Sequence, residues 1–259
     1  MKPAARAAAD ALRFFTRLPI PDSGTRPSFD MNQLAWAAPV AGAVVGLIGC
    51  AALMLAHVLG LPPVLEAGLA TAALVAATGA LHEDGLADVA DGFGASRARE
   101  RKLAVMRDSR IGAYGAAALA LALILRVGAL MSALALGFWT AAGALIITSA
   151  VSRAGALAPL AWLDPARADG AGATAGRLEP TAFVGAWATG LAVALALGVS
   201  LGRPGSAAAS LLAAALAAGA VTALAKHEIG GQTGDVAGAA QQAAEIAAWC
   251  GLLIGTAGT

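Results

Sequence analysis

Asp84, Asp88 and Asp91 follow a long apolar segment at i, i+4 and i+7, so on a helix their carboxylates project from one face. Three carboxylates so close repel one another unless a cation sits among them. A hard divalent metal answers that need, because Mg²⁺ takes oxygen ligands and bridges carboxylates to substrate phosphates. The bland alternative is a solvated helix N-terminus, where the dipole favours acids. Three acids on one face beside a membrane segment favour the metal, and make all three candidates for metal and catalytic roles. His82 precedes Asp84 by two positions and would point nearly opposite it; a general base, a hydrogen-bond donor to phosphate and a structural cap all stay open. Glu83 also points away from the triad and reads as interfacial.

Two further polar clusters extend this chemistry. Arg107, Asp108 and Arg110 stand where an apolar span begins, a depth at which charges are costly and tend to be functional. The two guanidinium groups suit a polyphosphate, and Asp108 reads as an additional metal ligand. Arg97–Lys102 read instead as a topology signal. The segment Lys226-His227-Glu228-Ile229-Gly230-Gly231-Gln232-Thr233-Gly234-Asp235 opens the last span. Its glycines let backbone N–H groups approach phosphate oxygens, although it lacks the GK[ST] ending of a Walker A loop. Gly230, Gly231, Thr233 and Gly234 are thus substrate-binding candidates, and Asp235 is a metal-ligand candidate. The competing reading is a helix-packing ridge with Asp235 as an N-terminal acid. Arg153, after Ser152, reads as a topology anchor or a phosphate-binding residue, and Arg126 as a charge snorkelling to the outer interface.

The elements that must position these residues are membrane helices. Hydrophobic residues make up 59% of the 259 and charged residues 13%, with a mean hydropathy of +0.74. Soluble domains carry roughly 25% charged residues, so this chain lacks the polar surface to cover itself in water. Aromatics are only 5%, which favours close helix contact through small side chains; Gly42-xxx-Gly46 and Gly230-xxx-Gly234-xxx-Gly238 fit such ridges. Cys50 and Cys250 lie in apolar segments and form no metal motif. A net charge of +1 does not favour nucleic acid, and the basic N-terminal residues do not read as a signal peptide.

Apolar runs at 35–61, 62–81, 111–136, 137–151, 182–202, 206–225 and 236–254 give seven candidate spans. The expectation is an all-α integral membrane protein, a single polytopic bundle of about seven transmembrane helices over 1–259. Its long polar segments, 1–33, 82–110, 152–180 and 226–235, would all lie on one side. They hold almost every Lys and Arg, which assigns that side to the cytoplasm and places the active site there.

Taken together these residues resemble the cobalamin synthase family. The family's H-x-D-G-L-A-D-x-x-D-G is matched by His82, Asp84-Gly85-Leu86-Ala87-Asp88 and Asp91-Gly92. Its M-R-D-S-R-x-G is matched by Met106–Arg110 with Gly112, and its G-G-x-T-G-D-x-x-G-A by Gly230–Asp235 with Gly238-Ala239. Thr16-Arg17-Leu18-Pro19-Ile20-Pro21 looks like the family's T-R-x-P-x-P, and Ser152-Arg153 falls where its S-R pair does. Val89 replaces a more usual Thr. The resemblance implies a Mg²⁺-dependent enzyme of a bacterial inner membrane, embedded in the bilayer. Its implied substrates are adenosylcobinamide-GDP and α-ribazole or its 5′-phosphate, its products GMP and adenosylcobalamin or its phosphate; an oligomer is left open. The CDP-alcohol phosphotransferases share Asp88-Val89-Ala90-Asp91-Gly92, but Met106, Arg110 and Tyr114 stand near where their later Gly and Asp belong. Membrane prenyltransferases require a second Asp-rich motif that Asp235 alone does not provide. An ion-coupled transporter would hold its acids near the bilayer midplane, not at span ends.

Overall fold

The computed structural model describes residues 3–21, 30–95 and 97–256. Thirteen α-helices account for most of them: α1 (Pro3–Phe15), α2 (Met31–Leu34), α3 (Ala38–Val58), α4 (Pro63–Thr78), α5 (Leu81–Ala95), α6 (Arg99–Val105), α7 (Ala113–Ala135), α8 (Phe138–Ala156), α9 (Ala158–Trp162), α10 (Gly170–Ala175), α11 (Pro180–Ser200), α12 (Pro204–Ile229) and α13 (Gly234–Leu253). Proline opens α4, α11 and α12, where its missing N–H costs nothing and its fixed φ suits a first turn. The chain is a polytopic helical membrane protein.

The span count differs from the sequence expectation of seven. Five stretches are long and apolar enough to cross a membrane: 31–58, α7, 138–162, α11 and α12. A sixth arises if α4 and α5, bent by 89° at their junction, count as one broken span. At 16 residues α4 reaches only about 24 Å, short of a hydrocarbon core of about 30 Å. The final helix α13 is long enough but carries Asp235, Gln241, Gln242 and Glu245. Most of it is buried against α5, α8 and α12, so other helices and not lipid meet its polar side chains. The α4–α5 bend is built from two left-handed residues, Gly79 (φ 64°) and Ala80 (φ 57°). Gly79 is fixed twice over, since a Cβ there would also fall 2.5 Å from Arg17 Nε.

Small residues let the bundle close. On α3 a Cβ at Gly42 would sit 2.2 Å from the Ser149 carbonyl oxygen and one at Gly46 would sit 2.7 Å from Ile146 Cα, so this ridge packs directly on α8. The second expected ridge does not exist as one face, because Gly230 ends α12 and Gly234 begins α13. Gly238 packs on α5 and Gly234 faces the short helix α10, so the trio does not serve one helix pair.

The four polar segments meet at one end. Phe15 stacks on His82 with ring centroids 6.0 Å apart. Arg99 donates to the carbonyls of Ile229 (2.7 Å) and Ala166 (2.6 Å). Lys102 pairs with Glu228, and Arg107 with Asp169. A short parallel bridge joins the 152–180 and 226–235 segments, Ala166 N–H donating to Gln232 O and Gln232 N–H to Asp164 O.

Candidate active site

Asp84 and Asp88 stand on α5, and Asp235 is the second residue of α13. These helices touch without side chains between them: a Cβ on Gly85 would lie 2.7 Å from the Asp235 carbonyl oxygen and 3.1 Å from Gly238 Cα. Only glycine permits that approach, and it draws the acids together from positions remote in sequence. Asp84, Asp235 and Asp91 all act on the Asp88 carboxylate as like charges, with Arg167 opposing them. Arg167, from the 152–180 segment, approaches Asp235 at 3.4 Å and is mostly enclosed. Its Nη1 is buried with no hydrogen-bond partner.

A cavity of about 720 Å³, including the part open to solvent, lies beside this cluster. Asp84, Gly85, Thr233, Gly234 and Asp235 line one wall. Thr233 caps α13, its Oγ1 accepting from Val236 N–H at 3.2 Å and donating to the Asp235 carboxylate at 3.2 Å. His82 also lines the cavity; it is buried, and its Nε2 lacks a partner.

A family profile described as cobalamin-5-phosphate synthase matches residues 7–253. The chain belongs to the cobalamin-5-phosphate synthase family. Adenosylcobinamide-GDP ribazoletransferases of Azorhizobium caulinodans and Xanthobacter autotrophicus are similar to it, at 49% identity over 247 residues and 50% over 253, each alignment covering 94% of both chains. That of Mesorhizobium japonicum is 48% identical over 237 residues, covering 91% of this chain and 88% of its own. No solved structure matches the chain.

In this chain the other sequence-derived site residues fall in several places. Asp91 caps α7: its carboxylate accepts from Gly112 N–H (2.7 Å) and Gly115 N–H (2.9 Å), two amides the first turn leaves unpaired. Both its oxygens are therefore engaged by the start of α7. Asp108 and Arg110 hold each other at 2.6 Å before α7. Hydrogen bonds from Arg110 bring the Asp108 carboxyl down to about 2, so it is a firmly ionised acid whose charge is already answered. Arg107 is half exposed and pairs with Asp169. Gly230 and Gly231 are not among the cavity-lining residues. Gly230 ends α12 in a left-handed conformation, and Gly231 lets the loop close on Asp164, whose carbonyl would be 2.6 Å from a Cβ.

Three charged residues need correction. Arg126 is no snorkelling side chain; it is 4% exposed, paired with Glu83 at 2.7 Å and with Glu245 at 3.0 Å. Glu83 is accordingly not interfacial, and Gln242 also donates to it, at 3.2 Å. Arg153 is neither a free topology anchor nor open to substrate. It is 3% exposed, donates to Ser149 O at 3.0 Å and lies 3.7 Å from Glu245. Two arginines and two glutamates thus neutralise one another inside the bundle, joining α5, α7, α8 and α13, because a charge in that medium persists only when paired and hydrogen-bonded. Glu245, Gln241, Gln242 and Arg167 went unremarked in the sequence. The signal for the first three was available: polar residues at 241, 242 and 245 interrupt one side of an otherwise apolar helix.

Proposed function

We propose that this protein transfers the adenosylcobinamide-phosphate group of adenosylcobinamide-GDP to α-ribazole or its 5′-phosphate, releasing GMP. Family membership and the names of close relatives supply the reaction class. The observation that carries the reading to particular residues is the Gly85–Asp235 contact, which sets two of the family-like motifs against one cavity.

The donor set fits Mg²⁺. Asp84, Asp88 and Asp235 bring more negative charge than Arg167 offsets. Among the described residues no three His, Cys, Asp or Glu side chains close on one point. That suits an ion held by one or two carboxylates, with waters and substrate phosphates completing its shell. One or two of Asp84, Asp88 and Asp235 would hold it. Bound there, Mg²⁺ would supply charge neutralisation for the pyrophosphate and the leaving oxygen.

The chain's own residues then position and neutralise. Arg167, whose Nη1 lacks a protein partner, receives a phosphate oxygen as a charge-assisted donor. Gly234, at the start of α13, offers backbone and helix dipole to a second phosphate oxygen. A ribazole hydroxyl oxygen forms the new bond to the phosphorus attached to cobinamide, and the bond from that phosphorus to the GMP oxygen breaks. The hydroxyl proton passes to a carboxylate of the cluster. No covalent nucleophile is needed.

The polar end faces the cytoplasm of a bacterial inner membrane, a placement supported by its Lys and Arg. Incubating purified protein with adenosylcobinamide-GDP, α-ribazole and Mg²⁺ tests the whole reading. The expected result is GMP release that depends on the ribazole; none above a heat-inactivated control refutes it.

A further inference from the structure

We propose that the apolar wall of the cavity is the seat of the α-ribazole base and sets acceptor specificity, while the corrinoid and guanosine remain on the open side. This rests on the reaction assigned above and goes beyond it, to which substrate the enclosed part of the cavity takes.

The cavity has two unlike walls because different helices build them. Besides the acids of α5 and α13, the lining includes Phe14, Phe15, Met31, Leu157 and Leu160, contributed by α1, α2 and the α8–α9 junction. Phe15, Met31, Leu157 and Leu160 are nearly inaccessible to solvent and pack as a fixed layer, while Phe14 is the half-buried member of the five, so this wall is preformed. Size makes the first selection. The enclosed part between these side chains suits one planar base and is too confined for a corrin macrocycle with its amide arms.

Polarity makes the second. Guanine carries donors and acceptors around its edge, and seating it against hydrocarbon would leave several unpaired. The dimethylbenzimidazole of α-ribazole, joined to its sugar through nitrogen, has no N–H and a single acceptor nitrogen, and its two methyl groups gain from burial. The wall supplies what that ring needs. Phe14, the half-buried aromatic of this wall, meets Phe15 edge-on with ring centroids 4.8 Å apart, so packing fixes the ring against which the base would lie. His82 is 3% exposed and its Nε2 has no partner, which leaves one imidazole nitrogen to serve one ring nitrogen. With the base there, the ribose lies between the apolar wall and Asp84 and Asp235, as attack on phosphorus requires.

The test varies the two substrates independently with the full-length protein in detergent micelles. For the wild type, α-ribazole is compared with the analogue whose benzimidazole lacks both methyl groups. Burial of two methyls predicts a kcat/KM about tenfold lower for the analogue. Phe14→Ala, at a half-buried position on the same wall, is expected to raise KM for α-ribazole severalfold and leave KM for adenosylcobinamide-GDP within about twofold. Equal use of the two acceptors by the wild type overturns the assignment without touching the reaction, and this holds even if the variant fails to fold. A Phe14→Ala effect confined to adenosylcobinamide-GDP also overturns it. Absence of GMP release with either acceptor removes the reaction itself, and the assignment with it.

Discussion

Replacing Arg126 with leucine removes the cation that faces two enclosed carboxylates. In the native protein Glu83 and Glu245 meet it at 2.7 and 3.0 Å, and Gln242 Oε1 accepts from it at 3.5 Å. Without it only Arg153 remains to answer both acids, 3.7 Å from Glu245. The cluster shifts from neutral to one uncompensated negative charge. Breaking a buried pair from one side costs about 3–5 kcal/mol, most of it the stranded charge and not the lost bond. The double variant Arg126→Leu/Glu83→Gln restores neutrality, so it is expected to be more stable than Arg126→Leu alone by about 1–3 kcal/mol. Reversible unfolding in mixed micelles, followed by circular dichroism, measures both. Activity should fall with Arg126→Leu as well, because Glu83 neighbours Asp84 on α5 and Glu245 anchors the helix that carries Asp235. An Arg126→Leu protein within about 1 kcal/mol of wild type, or a double variant no more stable than the single, would show that the four charges do not act as one unit.

Asp88→Asn and Asp235→Asn should each lower turnover by about 10–100-fold and raise the Mg²⁺ needed for half-maximal rate, with thermal stability unchanged; Glu100→Gln is the control, and normal turnover of Asp88→Asn at low Mg²⁺ would remove it from the ligand set. Chelation with EDTA should abolish GMP release and added Mg²⁺ restore it, a cycle that fails if the metal is dispensable. Gly85→Ala puts a methyl 2.7 Å from a backbone oxygen, so a loss of about 1–3 kcal/mol and of most activity is expected; Gly68→Ala, with nothing within 4 Å, should be nearly neutral in the same melting assay. In a Cys50→Ala/Cys250→Ala background, Arg101→Cys should react with impermeant maleimide only from the cytoplasmic side of sealed vesicles, and labelling from the periplasmic side would invert the topology.

The parts of this protein legible in the sequence are those set by local chemistry. Apolar runs of membrane length must become helices, since lipid offers backbone amides no partner. Asp84 and Asp88 one turn apart must share a face, and Gly42-xxx-Gly46 must allow close packing. The motifs around His82, Met106 and Gly230 were sufficient to place the chain among cobalamin synthases, because they are short, ordered and chemically specific. What the sequence left undecided was which charge meets which. Arg126 has the same local surroundings whether it snorkels to water or faces inward, and only a glutamate 43 residues away on another helix decides. Arg153 sits near a helix end in sequence but deep in the bundle in space. Asp91 shares a helix with Asp84, yet the first turn of α7, brought alongside by packing, takes both its oxygens. Arg167, in an unremarkable loop, becomes the counter-charge to Asp235 only once the 152–180 segment folds over α13. In a low-dielectric interior the energy of a charge is set by its partners within a few ångströms, and those partners are chosen by helix packing, not by neighbours along the chain.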